Sequence, residues 1–319
     1  MARLFPAAFA AVIGVLFALT NTSLGAEDGA DRAVRITFVG DVCFDGNPGH
    51  AVVHGEDPFA AVADVLKDTD LAVANLECAV PTAGAQGTNS YSFKAPTECV
   101  AVLKRYFSAV SLANNHSGDW GKEGFASELD LLERERLPYF GGGRNLEQAR
   151  RPVVLTAHGR RIALLGYCDF PPRHYAAGAN TPGTAWLVEA DVLADIRAAR
   201  TREHADTVIP FLHWGAEHRP MPDDYQVKLA RKMIDAGADA VIGAHPHIPQ
   251  TVDWYRGKPI VYSLGNFVFN YFPRDPPKYF GWIVRLTIEK DGRIDMRTIV
   301  VKLESSGLPR LVTRRDKVN

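Results

Sequence analysis

Five short polar clusters in this 319-residue chain carry side chains that could hold a metal ion: Asp41; Asn75 with Glu77; Asn114, Asn115 and His116; His213; and His245 with His247. Together they offer carboxylate, amide oxygen and imidazole. Borderline divalent ions such as Mn, Zn or Fe accept that mixture, whereas calcium asks for oxygen alone. Taken singly, each residue has an ordinary reading. A histidine at a strand end is commonly structural, Asn114-Asn115 could be a turn, and Asp41 a cap. Their shared position is what gives them weight, because every cluster directly follows a short apolar run. His245-Pro246-His247 would set two imidazoles on one tight turn, with Gly243 letting the backbone bend and Pro246 stiffening it.

The apolar runs are the elements that must position these groups. Residues 34–39, 71–74, 109–112, 207–212, 240–242 and 259–264 read as strands. Amphipathic stretches between them predict helices over 57–66, 97–106, 125–136, 191–201 and 225–237, the first opened by Asp57-Pro58. Hairpins are expected around His158-Gly159 and Asp291-Gly292. Repeated strand–helix–strand units predict an α/β fold with a mainly parallel core and added antiparallel strands. In such sheets ligands bind beyond the C-terminal strand ends, where all five clusters would converge. With no composition break to mark a linker, one domain is expected over 30–319.

Bulk properties exclude several classes. Net formal charge is −1 with both signs dispersed, so no basic block points to nucleic acid or an anionic membrane surface. Residues 1–26 have a positive start at Arg3, a short apolar run and small residues at Ser23, Gly25 and Ala26. That order predicts a cleaved signal peptide and a periplasmic or extracellular protein. A retained anchor is the alternative, although the run is shorter than the roughly 20 residues that span a bilayer. Membrane contact is then expected only through partners or an uncleaved N-terminal segment. Export makes a disulfide possible among Cys43, Cys78, Cys99 and Cys168; buried free thiols are the other reading.

The strings Gly40-Asp41, Asn75-Leu76-Glu77, Ala113-Asn114-Asn115-His116, His213-Trp214-Gly215, Gly243-Ala244-His245-Pro246-His247 and Ser263-Leu264-Gly265-Asn266-Phe267 together resemble the signature of the CapA family of capsule and poly-γ-glutamate synthesis proteins. The likeness covers about residues 34–269. It implies kinship with calcineurin-like metallophosphatases: two facing mixed β-sheets flanked by helices, in four αββα layers, with metal at the strand ends. It also implies metal ligands at Asp41, Glu77, Asn115, His213, His245 and His247, serving one or two ions. Two positions depart from the wider superfamily. Asp41-Val42-Cys43 stands where Asp-x-His is usual, and Asn75-Leu76-Glu77 where Gly-Asp is usual. Glu77 then either takes the bridging place or a single ion is bound. Cys43 is either a thiolate ligand or, more commonly for such a residue, a small buried hydrophobe.

Around this set, His116 is the candidate general acid, with Asp119 to orient it and Glu217 as a base or support. Lys94 and Arg144 could hold an anionic group, or be solvated surface charges; Trp214 could wall the pocket, or be core. The expected function is a metal-dependent hydrolase or transferase acting on an anionic polymer or phosphoester. The alternative is a non-catalytic component of a capsule synthesis complex that binds poly-γ-glutamate in the same pocket.

Overall fold

The computed structural model describes residues 32–88, 91–270, 276–313 and 316; the expected signal segment 1–26 lies outside them. In chain order the strands are β1 Val34–Val42, β2 Leu71–Leu76, β3 Ala109–Ser111, β4 Tyr139–Phe140, β5 Gly142–Gly143, β6 Val153–Ala157, β7 Arg160–Cys168, β8 Gly183–Thr184, β9 Thr207–His213, β10 Val241–Ala244, β11 Val252–Tyr255, β12 Lys258–Val261, β13 Asn266–Val268, β14 Phe280–Ile288, β15 Ile294–Leu303 and β16 Pro309–Leu311. The helices are α1 Asn47–Val53, α2 Ala63–Lys67, α3 Cys99–Tyr106, α4 Gly121–Glu135, α5 Leu146–Arg150, α6 Glu189–Thr201 and α7 Asp224–Asp235.

The first sheet runs β16-β15-β14-β1-β2-β3-β4, with β13 beside the end of β1. Its centre, β1 to β4, is parallel, and β14 to β16 extend it antiparallel. The second runs β11-β12-β10-β9-β7-β6, parallel from β12 to β7 with an antiparallel strand at each edge. Three buried apolar clusters separate the layers. Val34, Ile36, Phe38 and Val73 of the first sheet meet Ile162, Leu164, Ile209 and Phe211 of the second. The Phe38 and Phe211 rings join edge to face at 6.1 Å. On the outer faces, α3 and α4 cover the first sheet through Leu103, Leu129 and Leu132, and α6 and α7 cover the second through Ile196, Leu229 and Met233. The result is the four-layer αββα arrangement the resemblance implied. Among the described residues no helix is long and apolar enough to cross a membrane.

Two local expectations change. The helix expected from Asp57 begins late, as a 3-10 turn at Ala60–Val62 followed by α2. The Asp57 carboxylate accepts from the Phe59 amide (3.1 Å) and the Tyr106 hydroxyl (2.5 Å), which holds the chain in a turn while Phe59 enters an aromatic cluster. Gly243 lies inside β10 and makes no bend. A Cβ there would stand 2.0 Å from the Tyr262 carbonyl oxygen and 2.6 Å from Trp214 Nε1, so close approach of chains is what requires glycine.

The same holds at Gly40, one residue before Asp41. A Cβ would come 1.8 Å from the Gly265 carbonyl oxygen, in the segment whose Gly265 oxygen accepts from the Asp41 amide at 3.1 Å. Gly40→Ala is expected to lower stability by roughly 2–3 kcal/mol by forcing these backbones apart. Denaturant unfolding of variant and parent checks this; equal midpoints would show that the approach is not tight.

Candidate metal centre

The C-terminal ends of the parallel strands of both sheets open onto one cleft, and the five clusters lie at its floor. Residues Asp41, Asn75, Glu77, His213, His245 and Asn266 are buried there, with Asn115, His116 and His247 at the margin. Carboxylates and amides come from the first sheet and imidazoles 213, 245 and 247 from the second. Asn75 sits among them, its Nδ2 donating to Asp41 Oδ1 at 2.9 Å and to Glu77 Oε2 at 3.4 Å. His213 Nε2 is 2.6 Å from Asn115 Oδ1 and 3.0 Å from His245 Nδ1. His247 Nδ1 is 3.0 Å from Asn266 Oδ1 and 3.3 Å from Asp41 Oδ2. The turn carrying the histidine pair is strained: φ is 100° at His245 and 60° at His247, both in the left-handed region. Such conformations persist only where the surroundings impose them, and they concentrate at functional sites.

Electrostatics separates the two kinds of donor. Burial, followed by the neighbouring imidazoles, holds His213 and His245 well below the usual histidine range, so both are neutral; Asn75 Nδ2 stands 3.3 Å from His213 Nδ1, while His245 Nε2 has no partner. Burial, and then the charge of Asp41, pushes the Glu77 carboxyl well above the usual range. Three buried atoms of the cluster have no hydrogen-bond partner: Asp41 Oδ2, Glu77 Oε1 and His245 Nε2. Unpartnered buried polar atoms are costly and therefore rare. Here they belong to groups whose ligand atoms gather within 4.8 Å, as Asp41 with Glu77 and His247, and as Glu77 with His213 and His245. Divalent cations held by these two groups would satisfy all three, and the neutral imidazole and carboxylate set suits Mn, Zn or Fe.

His116 stands beside this cluster. Its Nδ1 is 2.8 Å from Asp119 Oδ2, the carboxylate of a fully buried side chain that also accepts from the Phe93 amide at 2.8 Å and the Tyr175 hydroxyl at 3.4 Å. The cleft above has a volume of about 660 Å³ and includes Phe93, Phe170, Phe269, Glu217, His218 and Lys278 in its lining. Phenylalanine rings pack on three of its histidines, Phe93 on His116, Phe170 on His245 and Phe269 on His247, at 4.3, 3.9 and 5.0 Å. A larger groove of about 810 Å³ lies by α5 and α6, but its Arg150 is bonded to Asp191 and Asp195 and its Arg151 to Glu147.

The remaining sequence candidates fall as follows. Glu217 lines the cleft, and its carboxylate also groups with His245 and His247. Lys94 lies over the Trp120 ring at 4.3 Å and lines a separate depression with Asp45 and His50. Arg144 is bonded to Asp130 and Glu133 of α4 (both 2.7 Å), away from the cleft. Trp214 is fully buried in the layer between the second sheet and its helices, its Nε1 donating to the Tyr262 carbonyl. Cys43 is buried in the core under α3 and α4 and belongs to none of the metal-ligand groups. Sequence reasoning left out the phenylalanines, Lys278 and the site role of Asn266. Asn266 was within reach, since β13 pairs with β1 in the register Asp41↔Asn266 and its string follows an apolar run.

The sequence profile for the bacterial capsule synthesis protein PGA_cap matches residues 35–271. The chain is 34% identical over 249 residues to the PGA biosynthesis protein CapA of Bacillus subtilis and 32% identical over 249 residues to the capsule biosynthesis protein CapA of Bacillus anthracis. These alignments cover 76% and 75% of this chain but 64% and 61% of those proteins. The solved structure of Haemophilus influenzae NAD nucleotidase covers 89% of this chain and 54% of its own at 15% identity, with a TM-score of 0.47. With its capsule-synthesis profile running from β1 past β13, across every strand end that feeds the cleft, this chain belongs to the PGA_cap family.

Proposed function

We propose that this protein is an exported, metal-dependent hydrolase or transferase of capsule or poly-γ-glutamate synthesis, acting on an anionic polymer or a phosphoester. The three unpartnered atoms Asp41 Oδ2, Glu77 Oε1 and His245 Nε2, aimed into one donor cluster, carry the reading. Asp41, Glu77 and His247 would hold one ion, and Glu77, Asn115, His213 and His245 a second that shares Glu77. A bound divalent ion supplies Lewis acidity toward a phosphoryl or carbonyl oxygen and makes water nucleophilic near neutral pH. The rest falls to the chain. Asn75 spaces Asp41 from Glu77. Asp119 fixes the His116 ring through Nδ1, which leaves Nε2 to give a proton to the leaving group. Lys278 offers a cation on the cleft wall.

Export rests on the pattern of residues 1–26, and the polymer on the printed names of the relatives. The test is metal content of purified protein loaded with Mn or Zn, followed by assays on phosphodiesters and γ-glutamyl amides. One or two ions per chain and turnover of either substrate are expected. Absence of stoichiometric metal would refute the site. Metal without turnover, together with binding of poly-γ-glutamate, would make the protein a polymer-handling component instead.

A further inference from the structure

Cys43 and Cys78 follow β1 and β2 directly, each within two residues of a site carboxylate, Asp41 or Glu77. Both are buried, and neither is used in the chemistry above. Parallel pairing of Val42 with Leu76 makes Cys43 and Cys78 diagonal neighbours across the continuing strands, and the Glu77 amide still donates to the Val42 carbonyl at 2.9 Å. The Cys78 sulfur reaches the backbone on both sides of Cys43: the Phe44 amide donates to it at 3.3 Å, and it lies 3.9 Å from the Val42 carbonyl oxygen. The two thiols also lie within hydrogen-bonding reach of each other and share one apolar cluster. With strands roughly 4.8 Å apart and a rise of about 3.3 Å per residue, diagonal neighbours lie roughly 6 Å apart, inside the Cα separation of about 4.4–6.8 Å that a disulfide spans.

We infer that Cys43 and Cys78 form a disulfide when the chain folds in the presence of a thiol oxidant, and that this bond ties together the strand ends bearing Asp41 and Glu77. With a low-molecular-weight disulfide as oxidant, two protein thiols become one Sγ–Sγ bond and the oxidant is reduced to two thiols, so protons and electrons balance. Both thiols are fully buried and out of reach of an oxidant once the core has closed, so the bond forms during folding. Cys99, at the start of α3, lies on the same apolar cluster and is the competitor for Cys78. The bond requires neither metal nor catalysis, so it stands or falls separately from the proposed activity.

The experiment unfolds the full chain and refolds it with oxidised glutathione, or with a phosphine reductant in parallel. Each sample is alkylated under denaturing conditions and mapped by mass spectrometry. A peptide linking Cys43 to Cys78, with Cys99 and Cys168 alkylated, is the expected result in the oxidised sample alone. Cys99→Ala should leave the link unchanged, and the oxidised parent should melt roughly 5 °C or more above a Cys43→Ala/Cys78→Ala variant. Alkylation of both Cys43 and Cys78 after oxidative refolding overturns the inference, and so does a Cys78–Cys99 link. If refolding yields no folded protein, the same mapping is done on full chain expressed with residues 1–26 and alkylated before lysis. Two alkylated thiols at positions 43 and 78 in that material overturn it equally.

Discussion

His116→Ala should lower kcat by roughly 10²–10⁴-fold and leave metal content within error of the parent, because a general acid acts on the leaving group without holding the ion. The geometry favours this division. His116 is fixed by Asp119 at 2.8 Å and packed by Phe93, and it belongs to none of the metal-ligand groups, whereas His245 belongs to two. His245→Ala is the contrast: metal should be lost first, with activity following it. Metal analysis beside single-turnover kinetics separates the two. Equal loss of metal in both variants would make His116 a ligand. Unchanged kcat in His116→Ala, with metal retained, would remove it from the chemistry.

The second large effect lies away from the cleft. Glu128, on α4, is fully buried, and neither carboxylate oxygen has a hydrogen-bond partner. Burial pushes its carboxyl from 4.5 to about 8. The folded state therefore binds this proton more tightly than the unfolded chain does. The stability it contributes is complete below about pH 4.5 and is lost as pH rises toward 8, a loss of roughly 3 kcal/mol by pH 7. Glu128→Gln mimics the protonated form. It should lie close to the parent near pH 5, exceed it by about that amount at pH 7, and exceed it by more as pH approaches 8. Urea unfolding across pH 5–8 checks the slope; parallel curves for variant and parent would show that Glu128 does not bind the proton.

Strand ends were legible in the sequence because a buried strand is a short apolar run, and a polar residue beyond it has few reasons to be there. This located Asp41, Glu77, Asn115, His213 and the 245–247 turn in the cleft. The direction of a long cation is not written in the same way. Arg144 follows a glycine run, yet two carboxylates of α4 stand beside it in space although well removed in sequence. The cleft wall was hidden for another reason. Residues 161–165 read as half of a hairpin, which they are, but β7 also runs parallel to β9, so its end is a sixth strand end delivering Phe170. Phenylalanines look like core wherever they occur, and only the fold tells which of them face a void.

The division of donors between the sheets reaches beyond chemistry. Asp41 and Glu77 stand on the first sheet and His213, His245 and His247 on the second, so two of the three ligand groups draw on both sheets at once. A bound ion would thereby act as a rivet through the interface that Phe38 and Phe211 also close. Capture of an ion and docking of the sheets would then become one coupled equilibrium. A loosened contact deep between the layers, far from any ligand atom, would surface as weaker metal affinity, and a chelator would act on this protein as a mild denaturant.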